Sequence, residues 1–265
     1  MVAGQRRPHL SRPEVEAMWG AFHTHVSDPL QAAGIPLAVT PGNHDGSAYR
    51  GFETERRSYA AQWGARKPGL NFLEDTHYPF YYAFAAGETL FIALDATIVG
   101  NLPGEQMRWL RDLLGKHGGE YRQCVVFSHL PLWPFAQGRE REFIGDPDLE
   151  RLLQQANLGL YLSGHHHVFY PGHKDGIHYI SQACLGAGPR KLVGAARRSQ
   201  RSFTLLEIED GGLYLSAFQA PDFRRPIDWE TLPERIRSQA AELIRADLVA
   251  DGLSRLQVEP RPALE

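Results

Sequence analysis

Three short apolar runs in this chain each hand over to a small polar block, and this repeated pattern restricts the fold more than any other feature. Ile35 to Thr40 runs into Pro41-Gly42-Asn43-His44-Asp45, Cys124 to Phe127 into Ser128-His129, and Leu158 to Leu162 into Gly164-His165-His166-His167. Each run has the length and content of a short buried strand. The polar blocks therefore fall on strand-end loops, where Asn and His side chains from distant parts of the chain can meet. Gly42 and Gly164 sit where backbone must turn sharply or approach another group closely.

Helical periodicity fills the intervals. Ser11-Arg12-Pro13-Glu14 reads as a capping box, followed by Val15, Trp19, Phe22 and Val26 on one face, which predicts a helix laid over a sheet. Thr89 to Leu94 is a strand ending at Asp95, and Gln106, Trp109, Leu110, Leu113 and Leu114 mark the helix after it. Asp95 itself reads as structural. Asp146-Pro147 opens another helix, with Leu149, Leu152 and Leu153 facing inward. Ile177 to Gln182, Ser202 to Ile208 and Leu213 to Phe218 are further strands, with Asp210-Gly211-Gly212 as a hairpin turn, and these late strands predict a mixed sheet. Thr231-Leu232-Pro233-Glu234 repeats the capping signature, and Ile236, Ala240, Leu243, Ile244 and Leu248 form a stripe. That stripe predicts an amphipathic helix docked on the domain, before a polar, unstructured tail over 249–265. The expected organisation is one domain over 1–220, with 221–265 as a C-terminal helix and tail.

With 265 residues, 43% of them hydrophobic, the chain can bury a core of α/β size. The net charge of -3 gives no basic field for an obligate nucleic-acid partner. The two cysteines, Cys124 and Cys184, cannot make a disulfide framework and read as ordinary thiols in apolar runs. No apolar stretch approaches the roughly 18 residues of a membrane span, and residues 1–15 are too polar and basic for a signal peptide.

Neutral imidazole with amide or carboxylate oxygen is a donor set that suits Mn²⁺, Fe and Zn²⁺. Asn43, His129 and His165, on three strand ends, can converge on one such ion. His165 and His167 are two residues apart, so in an extended segment they face the same side while His166 points away. That spacing lets them serve neighbouring metals, the arrangement that suits phosphate-ester hydrolysis. Each block also has a plainer explanation. Asn and Asp favour turns, His129 stands at a strand end before a proline-bearing loop, and three adjacent histidines can be a surface cluster.

Taken in order, the blocks resemble the calcineurin-like metallophosphoesterase superfamily, whose signature runs Asp-x-His, Gly-Asp, Gly-Asn-His-Asp/Glu, a single His, then Gly-His-x-His. The last three are present at Gly42–Asp45, His129 and Gly164–His167. Leu94-Asp95, Glu105-Gln106 and Trp109-Leu110 extend the resemblance, which covers roughly residues 1–220. It implies a mixed-sheet α/β/β/α sandwich and a metal-dependent hydrolase of phosphomonoesters or phosphodiesters, with metal-bound hydroxide attacking phosphorus. It assigns Asn43, His129 and His165 to the second metal and His167 to the first, both Mn²⁺, Fe or Zn²⁺. His44 would protonate the leaving group or contact the phosphate, with Asp45 orienting it. The substrate would be a phosphate-ester small molecule or a phosphoprotein, and His173, His178 and Arg190 are candidates for its rim.

The departure from the signature is equally specific. Nothing before Gly42 supplies Asp-x-His or Gly-Asp, since the early Asp28 is followed by Pro29 at a helix end. The fold is therefore expected to lack its first two strands, leaving backbone and apolar faces uncovered. Met1-Val2-Ala3-Gly4 resembles the residues that follow Gly-Asp, so Met1 reads as an internal methionine. The alternative function is a truncated or degenerate domain that binds metal or phosphate and acts through partners.

Overall fold

Along Gln123–Ser128 successive side chains turn to opposite sides, so Cys124 and Val126 join one apolar cluster and Val125 another. A strand buried on both faces requires a layer on each side. The computed structural model describes residues 11–156, 158–209, 212–249 and 258–259. Its strands are β1 (Asn71–Glu74), β2 (Tyr82–Ala86), β3 (Thr89–Ala93), β4 (Gln123–Ser128), β5 (Leu160–Ser163), β6 (Tyr170–Lys174), β7 (Ile177–Ser181), β8 (Ser202–Glu209), β9 (Gly212–Gln219), β10 (Arg225–Pro226), β11 (Arg235–Arg237), β12 (Glu242–Arg245) and β13 (Val258–Glu259). The α-helices are α1 (Arg12–Phe22), α2 (Asp28–Ala32), α3 (Glu53–Ala65), α4 (Gly104–His117) and α5 (Pro147–Gln155).

The larger sheet is ordered β1-β2-β3-β4-β5-β7-β6-β12-β11. Its centre, β3, β4, β5 and β7, is parallel, and both flanks are antiparallel. In the second sheet β9 pairs antiparallel with β8 and β10 and parallel with β13. On one face of the larger sheet, Leu110 and Leu113 of α4 and Leu149 and Leu153 of α5 pack with Ile92, Val126 and Tyr161. On the other, Val125, Leu160 and Ile180 pack with Leu213, Leu215 and Ala217 of β9. The result is the expected α/β sandwich.

Magnitudes separate what starts α5 from what holds it. The Asp146 carboxylate accepts from the Asp148 and Leu149 amides at 3.0 and 3.2 Å, a cap worth about 0.5–2 kcal/mol. Full burial of Leu149 and Leu153 contributes about 1.5–3 kcal/mol each. Packing therefore holds the helix and the cap sets its first residue.

Four expectations are corrected. Ile35–Thr40 is not a strand: the Tyr82 hydroxyl accepts from the Val39 amide and donates to the Val39 carbonyl (2.7 and 2.6 Å), and Thr40 Oγ1 donates to Leu94 O at 2.8 Å. Side chains thus replace ladder bonds there. The capping box of α1 forms, but the helix packs on α3 rather than on the sheet, with Trp19 and Phe22 each meeting Trp63 edge-on at 6.0 and 6.1 Å. The predicted C-terminal amphipathic helix is a hairpin, β11–β12, pairing Ile236 with Leu243. It joins the larger sheet beside β6, where Gly172 leaves room: a Cβ there would lie 3.0 Å from Leu243 Cδ2 and 3.2 Å from Tyr179 O. Within the predicted unstructured tail, Val258–Glu259 is a strand on β9, and the rest, apart from Val249, lies outside the described residues. So do Met1–Gly4 and turn residues 210 and 211. Among the described residues no helix is long and apolar enough to cross a membrane.

Candidate metal centre

Parallel pairing of β4 and β5 sets Ser128 opposite Ser163, so the residues just beyond, His129 and Gly164–His167, leave the sheet side by side. The Gly164 amide donates to His129 O at 3.0 Å. Asn43 arrives on a turn closed twice, by the Gly46 amide on Gly42 O at 3.0 Å and by the Gly42 amide on Asp45 Oδ1 at 2.6 Å. A Cβ on Gly42 would lie 3.1 Å from Asp45 Oδ1 and 3.4 Å from His129 Nδ1, so the close approach predicted there is real. At Gly164 a Cβ would meet only ordinary contact, 3.7 Å from His129 O. Arg56 of α3 braces the turn, donating to Gly46 O at 2.7 Å and pairing with Asp95 just beyond β3. Gln106 in turn holds the Asp95 backbone at both its amide and its carbonyl, which gives Asp95 the structural role its position suggested.

Three donors converge. His129 Nε2 lies 2.8 Å from Asn43 Oδ1 and 3.0 Å from His165 Nδ1. The far nitrogen of His165, Nε2, meets Glu142 Oε2 at 2.9 Å, and His167 Nδ1 donates to Gly188 O at 3.1 Å. Burial, then the neighbouring histidines and arginines, hold these rings neutral: His129 and His165 are both pushed down to about 3, and His167 is also lowered. Neutral rings are the form that offers lone pairs. Burial pushes the Asp45 carboxyl up, against bonds from the Gly42, Asp45 and Gly46 amides.

His165 and His167 both take left-handed backbone, φ 59° and 53°, which corrects the expectation of an extended segment. The ring directions follow from individual hydrogen bonds instead of from strand alternation. His166 does point away, fully buried, its Nδ1 accepting from the Phe135 and Ala136 amides at 3.0 and 3.3 Å.

The separations within the triad match the roughly 3 Å between neighbouring ligands when metal–ligand bonds are about 2.1 Å. Asn43, His129 and His165 therefore fit one divalent ion. Among the described residues no group of three or more His, Cys, Asp or Glu side chains is arranged to hold a metal ion; the triad has an Asn as its third donor. His173 and His178 face each other across β6 and β7, at 4.9 Å between ring centroids. They are buried three residues back from the Ser181 end of β7, away from the centre and not on its rim. Arg190 is at the centre, donating through Nη1 to His165 O and through its amide to His167 O. Sequence reasoning missed Arg56 and Glu142, because both lie in mixed-charge runs, Glu53–Arg57 and Arg139–Glu142, that read as solvated surface.

Comparison with known proteins agrees with the order of the blocks. The profile of the calcineurin-like phosphoesterase family matches residues 13–169. The purple acid phosphatase PPD1 from yellow lupin (Lupinus luteus) seeds superposes with a TM-score of 0.59 at 17% identity, over 77% of this chain and 41% of that one, a likeness of fold. GAP50 of Plasmodium, the anchor in its inner membrane complex, gives 0.39 at 16% identity over 53% of this chain and 49% of that one. A stretch of 126 residues is 30% identical to human transcription factor GATA-5, covering 43% of this chain and 31% of that protein. The chain thus spans less than half the length of each of these proteins. With the family profile matched over more than half of the chain, and the family's Asn and His blocks gathered beyond the parallel strands at the centre of the mixed sheet, the chain belongs to the calcineurin-like phosphoesterases.

Proposed function

We propose that this chain is a metal-dependent hydrolase of phosphate monoesters or diesters, with Asn43, His129 and His165 as the ligands of one ion. The observation that carries the reading is the approach of His129 Nε2 to Asn43 Oδ1 and His165 Nδ1. These are two acceptors turned toward a point now served by a single imidazole N–H. A divalent ion bound there would neutralise phosphoryl oxygens and make an adjacent water more acidic. The chain's own groups do the rest. The Asn43 turn fixes the phosphate against the ligand triad, His44 donates a proton to the departing oxygen, and Asp45 closes the turn that presents His44. His167, with Nδ1 engaged by Gly188 O, keeps Nε2 available as a ligand. The family generally uses a binuclear metal site, and Mn²⁺, Fe or Zn²⁺ suit these donors. Phosphate-ester small molecules and phosphoproteins are both candidate substrates.

A second reading has its own observation. Among the described residues no three His, Cys, Asp or Glu side chains are grouped to hold a metal ion, and a domain that binds one metal or a phosphate and acts through partners needs no such group. Metal content separates the two. The chain is loaded with Mn²⁺, desalted and analysed for metal, then assayed with p-nitrophenyl phosphate and its diester. Metal bound with turnover, both lost in Asn43→Ala and His129→Ala, supports hydrolysis. One ion without turnover supports the binding domain, and no ion at all removes both metal readings.

A further inference from the structure

Glu142 is held from two sides by consecutive histidines. His166 Nδ1 accepts two backbone amides, so its proton sits on Nε2, which donates to Glu142 O at 2.9 Å. His165 Nε2 meets the Glu142 carboxylate at 2.9 Å. The other carboxylate oxygen pairs with Arg139, and Arg190 holds the His165 carbonyl. With one carboxylate oxygen taken by the Arg139 guanidinium and the other facing the imidazole, the carboxylate is the acceptor in both contacts. The bond from His165 therefore requires the proton on Nε2, and Nδ1 is left as a bare lone pair 3.0 Å from His129 Nε2.

We propose that Glu142 is a positioning residue of this centre, fixing His165 in the tautomer and ring orientation that turn its Nδ1 lone pair toward Asn43 and His129. The proposal rests on the reading of those three residues as metal ligands. Histidine ligands commonly donate their second N–H to a carboxylate, which fixes the tautomer and raises the basicity of the ligating nitrogen. Here the carboxylate comes from the loop between His129 and α5. His166 anchors that loop's backbone through Glu142 O, which holds the carboxylate beside His165.

The test is made on the full chain. In the metal-free protein, long-range ¹H–¹⁵N spectra report the tautomer of each histidine, with the His165 signal identified by its loss in His165→Gln. We expect wild-type His165 protonated at Nε2, a mixture of tautomers in Glu142→Ala, and the wild-type form retained in Glu142→Gln, whose amide oxygen accepts the same bond. In a Zn²⁺ titration, Glu142→Ala should weaken binding about 10- to 100-fold, with Glu142→Gln recovering most of the loss. A wild-type His165 protonated at Nδ1 overturns the proposal. So do an unchanged tautomer and unchanged affinity in Glu142→Ala. The wild-type spectrum needs no variant and stays decisive if Glu142→Ala does not fold. If the wild type binds no Zn²⁺, the metal reading fails by itself, and the tautomer alone decides whether Glu142 positions the ring.

Discussion

At position 166 a fully buried imidazole meets two amides on one nitrogen and a carbonyl on the other, so its place is fixed by backbone groups alone. Replacing it with alanine orphans these buried partners, at about 1–3 kcal/mol for each one left unsatisfied. His166→Ala should therefore lower the urea midpoint clearly, and an unchanged midpoint would mean that water replaces the ring. His44 is expected to behave in the opposite way. His44→Ala should reduce kcat about 10²- to 10⁴-fold, the usual contribution of a general acid, while metal content stays at the wild-type level. Turnover equal to wild type would remove that role. The meeting of His129 and His165 was legible in the sequence, because both stand just after apolar runs that pair in parallel; Asn43 reaches them from a turn whose preceding run is not a strand. Glu142 was not, since its partner His165 is 23 positions away and no pattern within Arg139–Glu142 distinguishes it from a surface carboxylate.

The segment from Arg235 to Arg245 shows how two periods can share the same residues. Ile236 and Leu243 are seven apart, a spacing that puts them on one helical face and equally makes them cross-strand partners. The alternation of Arg235 and Arg237 outward with Ile236 inward settles the matter for a strand, with Glu242 pairing with both arginines at 2.8 and 2.9 Å. The turn carries no Gly, Pro or Asn to announce it. Ser238 Oγ instead accepts from the Ala240 and Ala241 amides. Leu243→Ala should cost about 2–5 kcal/mol as a core truncation, measured by chemical denaturation. Gly172→Val should detach the hairpin, seen as faster hydrogen exchange over β11 and β12 than over β4. A docked helix would be indifferent to the second change. Elements bounded by strong local signals, such as α5 with its Asp146-Pro147 start, were legible, whereas Ile35–Thr40 was misread because its apolar content says nothing about whether a neighbouring strand is there to pair with it.

Across the whole molecule, buried histidines set the response to acid. Burial pushes His129 and His165 down to about 3 and His166 down to about 4 in the folded chain, against about 6.5 when unfolded. Below that value the unfolded state binds protons that the fold rejects, so stability falls as pH drops from 7 toward 4, by about 1.4 kcal/mol per pH unit for each such proton. Asp45 and Asp95, both raised by burial, act in the opposite sense: the fold keeps protons that the unfolded chain releases, so their contribution grows as pH falls from their raised folded values to the ordinary carboxylate range. Metal-free melts between pH 7 and 5 that do not change would contradict this. A row of exposed apolar side chains, Met18, Phe22 and Val26 at 61%, 38% and 37%, runs along α1 and the turn after it, with Ile35 also exposed. Such a row favours self-association. Sedimentation should show mass rising with concentration and falling back in Phe22→Ser. The hydrogen-bonded pair His129 and Asn43 is separated by 86 positions, and His129 and His165 by 36. Contacts of such high order form late, because long loops must close before they bring any return. An ion seated among them would be the last thing the folding chain acquires, a clasp closed only after segments that start far apart along the chain have already met.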